Sequence, residues 1–383
     1  MYTETMSTRI AIIGPGKRSA YYYAPLVKKI GGELELVGVW GRSPERAKKF
    51  GEDFGIPWYT DMDRMIRETS PSIGIVSVGG GGNGEAGLLA VEHGLNVLLE
   101  TPIAWRLDEA DAIIAQAEKQ NLKIEVSEQF HRRPHMQIIL KLLETGIFGQ
   151  VFSSFNDFGG HGYHGISVMR SFLGFDAKPL RVYGACRDFN MGPTLAGPAF
   201  SAEKGEYGMR KENQEHGIIE FENGKIGIYH WSSVGYNDPL RWWRSARFLA
   251  ERGMGLTSFT PGDYSVNLTL LEKDGGAPRP VTIEKRLERV DGGNLQYLVA
   301  RTGDDQFPLV RWDNPFASSA NGRGQIWEDD ELAVALCIMS LVNAVKNNTP
   351  PSYGPHQARM DQELSLAIQQ SSKTGQPVVL PLG

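Results

Sequence analysis

Two cysteines in 383 residues, Cys186 and Cys337, are too few for a disulfide framework, which sets aside the small cross-linked scaffolds and points to a reducing compartment. Basic blocks are missing too. The 40 Lys and Arg against 45 Asp and Glu give a formal charge of −5 with no cationic run, which argues against nucleic acid or an anionic membrane as the main partner. No stretch reaches the roughly 18 apolar residues that a membrane-spanning helix needs. Met1–Arg9 is short and polar and lacks the apolar core of a signal peptide, so the expected location is the cytoplasm. Repeats and low-complexity tracts are absent as well.

What is there is the composition of a folded protein, 41% hydrophobic and 22% charged. The length exceeds what one core usually organises, so two domains are expected, 1–128 and 129–383. From about residue 8 to 128, β-branched runs alternate with helical periodicity. Thr8–Ile13, Leu34–Val39, Ile73–Val78, Asn96–Leu99 and Lys123–Val126 read as strands. Between them lie apolar faces such as Tyr23, Leu26, Val27, Ile30 and Ala47, Phe50, Phe54, the latter behind a Ser43 cap and Pro44. This order predicts an α/β domain with a doubly wound parallel sheet.

After Phe130 the pattern changes. Val151–Phe158, Arg181–Ala185, Ser265–Leu271 and Leu295–Ala300 read as strands, and Asn223-Gly224 marks a hairpin between 216–222 and 225–231. Helices are expected over Ile166–Leu173, Asp330–Val345 and Gln357–Ser372, and loops over 188–213 and 301–325.

Gly14-x-Gly16-x-x-Ser19 stands between the first strand and the first helix. The first glycine permits the turn, the second lets backbone approach a pyrophosphate, and a small third residue lets helix and strand pack closely. Gly14, Gly16, Lys17, Arg18 and Ser19 are therefore expected to hold a dinucleotide. The second strand ends Val39-Trp40-Gly41-Arg42-Ser43 without the carboxylate that usually meets ribose hydroxyls in NAD-preferring domains. Gly41 would leave room, Arg42 would pair with a 2′-phosphate and Ser43 would donate hydrogen bonds, so NADP is favoured slightly over NAD.

These residues, together with Gly41-Arg42-Ser43-Pro44-Glu45-Arg46-Ala47, Gly94–Pro102, Arg133-Pro134, Gly146-x-x-Gly149-x-Val151, the segment around His164 and the ending Arg359-x-Asp361-x-Glu363-Leu364 to Pro381-Leu382, resemble the Gfo/Idh/MocA family of oxidoreductases. The resemblance implies a Rossmann domain followed by an α/β domain with a large, open, mostly antiparallel sheet that supports homodimers or homotetramers. It also implies hydride transfer on sugars, polyols or cyclitols. Members typically read Glu-Lys-Pro after the fifth strand, where this chain has Glu100-Thr101-Pro102. They often carry Asp-x-x-x-His-x-x-Asp, where this chain matches only the histidine, His164.

Imidazole titrates near neutrality, so His164 is the expected acid/base. His161 and Tyr163 would support it, Thr101 would hydrogen-bond where lysine usually sits, and Glu100 would border the cofactor. Gln129 and Arg132 follow the last parallel strand and are candidates for sugar binding, an interdomain hinge being the alternative. Arg241-Trp242-Trp243-Arg244 offers aromatic surface for a sugar face or, better, for a buried or subunit contact. No metal is expected: His161-x-x-His164 and His131-x3-His135 lack supporting ligands, and Pro134 interrupts the second pair. Two other readings stay open, a lyase or glycosidase that oxidises its sugar transiently on a retained nicotinamide, and a cofactor-binding sensor or partner subunit without catalysis.

Overall fold

The computed structural model describes residues 7–194, 208–233, 244–260, 262–272, 276–289, 292–317 and 327–382. The chain forms two compact units, Met1–Arg132 with Glu328–Gln362, and Arg133–Trp327 with Glu363–Gly383. The expected division at 128/129 thus falls slightly before the first crossing, and residues 328–362 go with the N-terminal unit.

The first unit is built on six parallel strands, β1 (Thr8–Ile13), β2 (Leu34–Trp40), β3 (Trp58–Tyr59), β4 (Ile73–Val76), β5 (Asn96–Leu99) and β6 (Ile124–Val126). Their order, β3-β2-β1-β4-β5-β6, reverses direction between β1 and β4. In such sheets the crevice beyond the carboxyl ends at that reversal receives the ligand. Ile10, Ile12 and Ile13 are all fully buried, as expected of a parallel sheet covered on both faces. A π-turn at Ser19–Tyr23 leads into α1 (Ala24–Ile30), which buries the Tyr23, Leu26, Val27, Ile30 face read from the sequence. Four further helices, α2 (Pro44–Phe54), α3 (Met62–Thr69), α4 (Asn83–Glu92) and α5 (Leu107–Lys119), connect the strands. Ser43 caps α2 by accepting from Arg46 N at 3.4 Å, and Asp61 caps α3 in the same way at 3.0 Å.

The returning segment is anchored by polar contacts far apart in sequence. Its helix Asp329–Asn347 starts with a capping box between Glu328 and Glu331. Tyr22 donates to Asp330 at 3.1 Å, Lys29 to Glu331 at 2.6 Å, and Ser340 to Glu125 at 2.7 Å. Glu125, on β6, is fully buried and ion-paired with Arg132. Burial pushes its carboxyl up to about 7 against the opposing pull of Arg132.

The second unit carries α6 (Pro134–Glu144), α7 (Gly162–Leu173) and an 11-stranded, mostly antiparallel sheet. Its strands are β7 (Val151–Asp157), β8 (Pro179–Thr194), β9 (Gly208–Phe221), β10 (Ile226–Ser232), β11 (Ser245–Ala250), β12 (Gly253–Ser258), β13 (Val266–Leu271), β14 (Pro278–Arg289), β15 (Gly292–Arg301), β16 (Leu309–Asp313) and β17 (Val378–Val379). They run in the order β16-β15-β14-β13-β12-β11-β7-β10-β9-β8-β17. Among the described strands of this sheet, only β7 and β10 pair in parallel. Asn223 and Gly224 both take positive φ, 61° and 73°, in the hairpin between β9 and β10, as their sequence demands.

Three expectations change. Within the supposed loop at 188–213, the described residues 188–194 and 208–213 belong to the β8–β9 hairpin, where cross-strand pairing overrides polar composition and Lys211 meets Asp188 at 2.6 Å. The supposed loop at 301–325 contains β16, whose Val310 and Trp312 alternate inward. α7 begins four residues before the expected Ile166. Arg241, Trp242 and Trp243 lie outside the described residues.

His135, in the first turn of α6, is buried between Phe259 and Tyr264, with ring centroids 5.1 and 5.0 Å away. Burial, reinforced by the charge of Arg133, pushes its pKa well below the ordinary imidazole value. In the unfolded chain this histidine takes up a proton as pH falls through about 6.5, whereas the folded chain does not, so stability drops below that pH. Denaturant unfolding at pH 7, 6 and 5 is expected to show His135→Phe with a shallower loss, by up to about 1.4 kcal/mol per pH unit. Equal slopes for both proteins would contradict this.

Candidate functional site

The carboxyl edge of the parallel sheet gathers most of the residues singled out in the N-terminal part of the sequence. Gly14 has φ +102°, and a Cβ there would lie 2.6 Å from the Ser77 carbonyl oxygen and 2.7 Å from Val78 Cγ2. The fold itself therefore demands glycine at this position. Gly16 differs: a Cβ would meet nothing nearer than the Ser77 oxygen at 3.8 Å, an ordinary contact. Nothing among the described residues explains this second glycine, whereas a close-lying phosphate would, and the loop fits a dinucleotide on that ground. Ser19 is fully buried and donates to Gly14 O at 2.6 Å, so its small side chain closes the loop. Lys17 is exposed.

Arg18 is fixed on three sides. Its Nε donates to Glu100 Oε1 at 2.5 Å, and its guanidinium carbon lies 4.1 Å from the Tyr22 ring centroid. The third side is Tyr23, whose ring centroid is 5.9 Å away. The other oxygen of Glu100 accepts from Thr101 N at 2.8 Å and from Thr101 Oγ1 at 3.4 Å. Asn83, which sequence reasoning missed, is buried and donates to Glu100 O at 2.7 Å and Pro102 O at 3.3 Å. Its own Oδ1 accepts from Val78 N at 3.3 Å, so one amide ties the ends of β4 and β5 together.

At the β2 end, Gly41 does not leave the space expected of it. A Cβ there would sit 2.6 Å from Pro15 Cδ, so the glycine is required by packing against the loop. Arg42 is 65% exposed and pairs with Glu85 at 3.3 Å, and the Ser43 hydroxyl serves the α2 cap. Gln129 is buried, and its Oε1 has no hydrogen-bond partner among the described residues. Arg132 is only 6% exposed and is committed to Glu125, with a further bond to Leu336 O at 3.4 Å. Its guanidinium is spent on neutralising the buried Glu125 carboxylate, which takes it out of reach of a sugar.

In the second unit, His161 is the N-cap residue of α7, and Tyr163 and His164 lie in the first turn. Ring centroids of His161 and His164 are 4.8 Å apart, those of Tyr163 and His164 4.6 Å, and those of His161 and Trp231 6.1 Å. Glycine and histidine are weak helix formers, so this start depends on tertiary pins. Buried Asn156 on β7 donates to Gly160 O at 2.9 Å and to His230 O at 3.1 Å, and accepts from Gly160 N at 3.0 Å. Gly162 N donates to the buried Tyr229 hydroxyl at 2.5 Å. A Cβ on Gly165 would come within 2.5 Å of Asn156 Nδ2 and of Gly160 O. Neither Asn156 nor Tyr229 carries a local sequence signal for this role. Burial, with the His164 ring beside it, holds His161 well below the ordinary imidazole pKa, so it is neutral at working pH.

The contrast between the two loop glycines gives a direct check. Gly14→Ala forces a Cβ against Ser77 O and is expected to destabilise the protein by about 3 kcal/mol. Gly16→Ala should unfold like wild type yet bind NAD+ and NADP+ at least about tenfold more weakly, as read by calorimetry. Undiminished affinity in Gly16→Ala would show that no phosphate lies against that backbone.

Comparisons with known proteins agree with this geometry. Residues 8–128 match the model of the GFO_IDH_MocA oxidoreductase family, NAD-binding Rossmann fold. Oxidoreductase P35 of Formosa agariphila is 25% identical over 152 residues, which are 39% of this chain and 47% of that protein, so the match spans about half the relative's length. Among solved structures, levoglucosan dehydrogenase in complex with NADH and levoglucosan has a TM-score of 0.70 at 13% identity, covering 98% of this chain and 100% of that one. The WlbA dehydrogenase of Bordetella pertussis, in complex with NADH and UDP-GlcNAcA, has 0.68 at 14%, covering 99% of each. The aldose-aldose oxidoreductase of Caulobacter crescentus, complexed with glycerol, has 0.66 at 16%, covering 98% and 100%. At these identities the structural likeness speaks for the fold. With its switch-point crevice and phosphate loop, the segment 8–128 matches the NAD-binding Rossmann domains of the Gfo/Idh/MocA oxidoreductases.

Proposed function

We propose that this protein is an NAD(P)-dependent dehydrogenase or reductase acting on a CH–OH group of a sugar, polyol or cyclitol. The observation that carries the reading is the bare Gly16 backbone at the start of the helix after β1, with no steric reason of its own to be glycine. The sugar-acting dehydrogenases among the structural relatives support the substrate class. A bound nicotinamide would supply the hydride acceptor or donor. Gly14, Gly16, Lys17 and Ser19 would hold its pyrophosphate side, while Arg18, expected with them from the sequence, is drawn by its pair with Glu100 toward the reacting end that Glu100 and Thr101 would line. Gly41, Arg42 and Ser43 would meet the adenosine.

His164 would take the hydroxyl proton during oxidation and return it during reduction. His161 and Tyr163 would orient and shield it, the neutral His161 adding no competing charge. Gln129, whose buried Oε1 lacks a partner among the described residues, would accept from a substrate hydroxyl. The exposed Arg42 guanidinium, held only by a surface pair with Glu85, would turn to a 2′-phosphate and favour NADP. We place the protein in the cytoplasm, as a homodimer or homotetramer. One row across the large sheet runs Tyr183, Ile218, Ile228, Phe155, Arg247 and Leu256, apolar except for Arg247, whose guanidinium lies over the Phe155 ring, and such a row would suit a second copy.

Two measurements test these roles. His164→Ala is expected to slow single-turnover hydride transfer by about 100-fold or more with dinucleotide still bound, and a wild-type rate would remove it as acid/base. Arg42→Ala should lower the NADP-to-NAD affinity ratio by about tenfold, and an unchanged ratio would leave Arg42 a solvated side chain.

A further inference from the structure

Oxidising an alcohol leaves negative charge on its oxygen as the proton departs, and reduction develops the same charge on a carbonyl oxygen. A group that stabilises it must be fixed beside the reacting end of the cofactor before the reaction begins. The end of β5 offers no cation of its own, since Thr101 contributes only a hydroxyl and an amide. Arg18 is the cation brought to that point. It starts from the loop after β1 and reaches Glu100 beyond β5, across the end of β4. The ion pair therefore lies on the β4–β5 half of the crevice. Arg42 follows β2, on the half that receives adenosine.

The guanidinium is also pre-set. Its Nε is engaged with Glu100, one face lies on Tyr22, and Tyr22 is in turn tied to Asp330 at 3.1 Å. Of its five N–H donors, the one on Nε is taken by Glu100 and another by the Tyr22 hydroxyl, which leaves terminal N–H groups for a ligand. Paired with a carboxylate, Arg18 is a weak counter-charge for phosphate but a rigid, permanently protonated hydrogen-bond donor. Burial would favour proton loss, but the Glu100 carboxylate outweighs it and moves the guanidinium pKa further up. The side chain is 30% exposed, enough for a ligand oxygen to reach it.

We infer that Arg18, held by Glu100, donates to the reacting oxygen of the substrate and stabilises its negative charge during hydride transfer. The inference rests on the dehydrogenase reading above. In oxidation the C–H bond of the carbinol breaks and its electron pair leaves with the hydride to the nicotinamide C4. The hydroxyl proton goes to the acid/base, and a C=O bond forms. Arg18 neither gains nor loses a proton at any stage. Glu100 acts through Arg18 and is a positioning residue.

Wild type, Arg18→Gln and Arg18→Lys should be compared for NAD+ and NADP+ affinity by calorimetry. The same proteins should then be compared for single-turnover formation of reduced nicotinamide, with levoglucosan, D-glucose, myo-inositol and D-gluconate as probes. The expected result for Arg18→Gln is dinucleotide affinity within about threefold of wild type and hydride transfer slower by about 100-fold or more. Arg18→Lys should recover at least about a tenth of the rate and add an alkaline ionisation to its pH profile that wild type lacks, because lysine titrates where arginine does not. Dinucleotide binding weakened about tenfold, with the rate on bound cofactor unchanged, would overturn the inference and make Arg18 a phosphate anchor. A wild-type rate in Arg18→Gln would overturn it while leaving the dehydrogenase reading intact. If wild type reduces no cofactor with any probe although it binds one, the dehydrogenase reading fails and the inference falls with it.

Discussion

The first unit depends on how closely β1 and β4 approach where the chain turns from strand to helix. A Cβ on Gly14 would come within 2.6 Å of the Ser77 carbonyl oxygen, so the turn can pass over β4 only as bare backbone. That constraint fixes the rest of the crevice. Gly14 N bonds to Trp40 O at 2.9 Å, Ser19 closes on Gly14 O, and Pro15 occupies the space beside Gly41. Gly16 is then exposed at the start of a helix, beside a sheet whose strand order reverses at that point. Two glycines two residues apart thus have different causes, one internal to the fold and one facing outward.

Much of this unit was legible in the sequence because its information is local. Strands buried on both faces appear as uninterrupted β-branched runs, and Ser43 with Pro44 announces α2 within three residues. The second unit was legible only where the backbone left a mark, as at Asn223-Gly224. The β8–β9 hairpin was hidden because its outer end is polar, with Asp188, Lys211 and Asn213 stabilised across the strands. The attachment of the helix Asp329–Asn347 to the first unit was hidden as well. Its anchors, Tyr22, Lys29 and Glu125, lie 308, 302 and 215 residues from their partners, which no periodicity reveals.

The candidate site divides in the same way. Gly14, Gly16, Ser19 and the imidazoles near His164 could be named from spacing and chemistry. The contacts that give them their properties could not. Arg18 meets Glu100 across 82 residues, Asn83 joins two strand ends, and Asn156 holds the turn that starts α7. Arg132 shows the opposite failure. A charged residue just after the last parallel strand looked available to a substrate, but its charge balances the buried Glu125 carboxylate. The helix that carries His161 and His164 likewise owes its start to Asn156 and Tyr229 and not to propensity.

Functionally, the first unit has the architecture of a nucleotide carrier, and the second sets a histidine-rich helix start against a broad sheet. The proposed chemistry needs the first of these before anything else. Calorimetric titration of the intact, folded chain with NADP+ and then NAD+ tests it most directly. Saturable one-to-one binding of at least one of the two is the expected result. No heat from either, with the protein shown to be folded by its thermal unfolding transition, would contradict the assignment of the Gly14–Ser19 loop and the reading built on it.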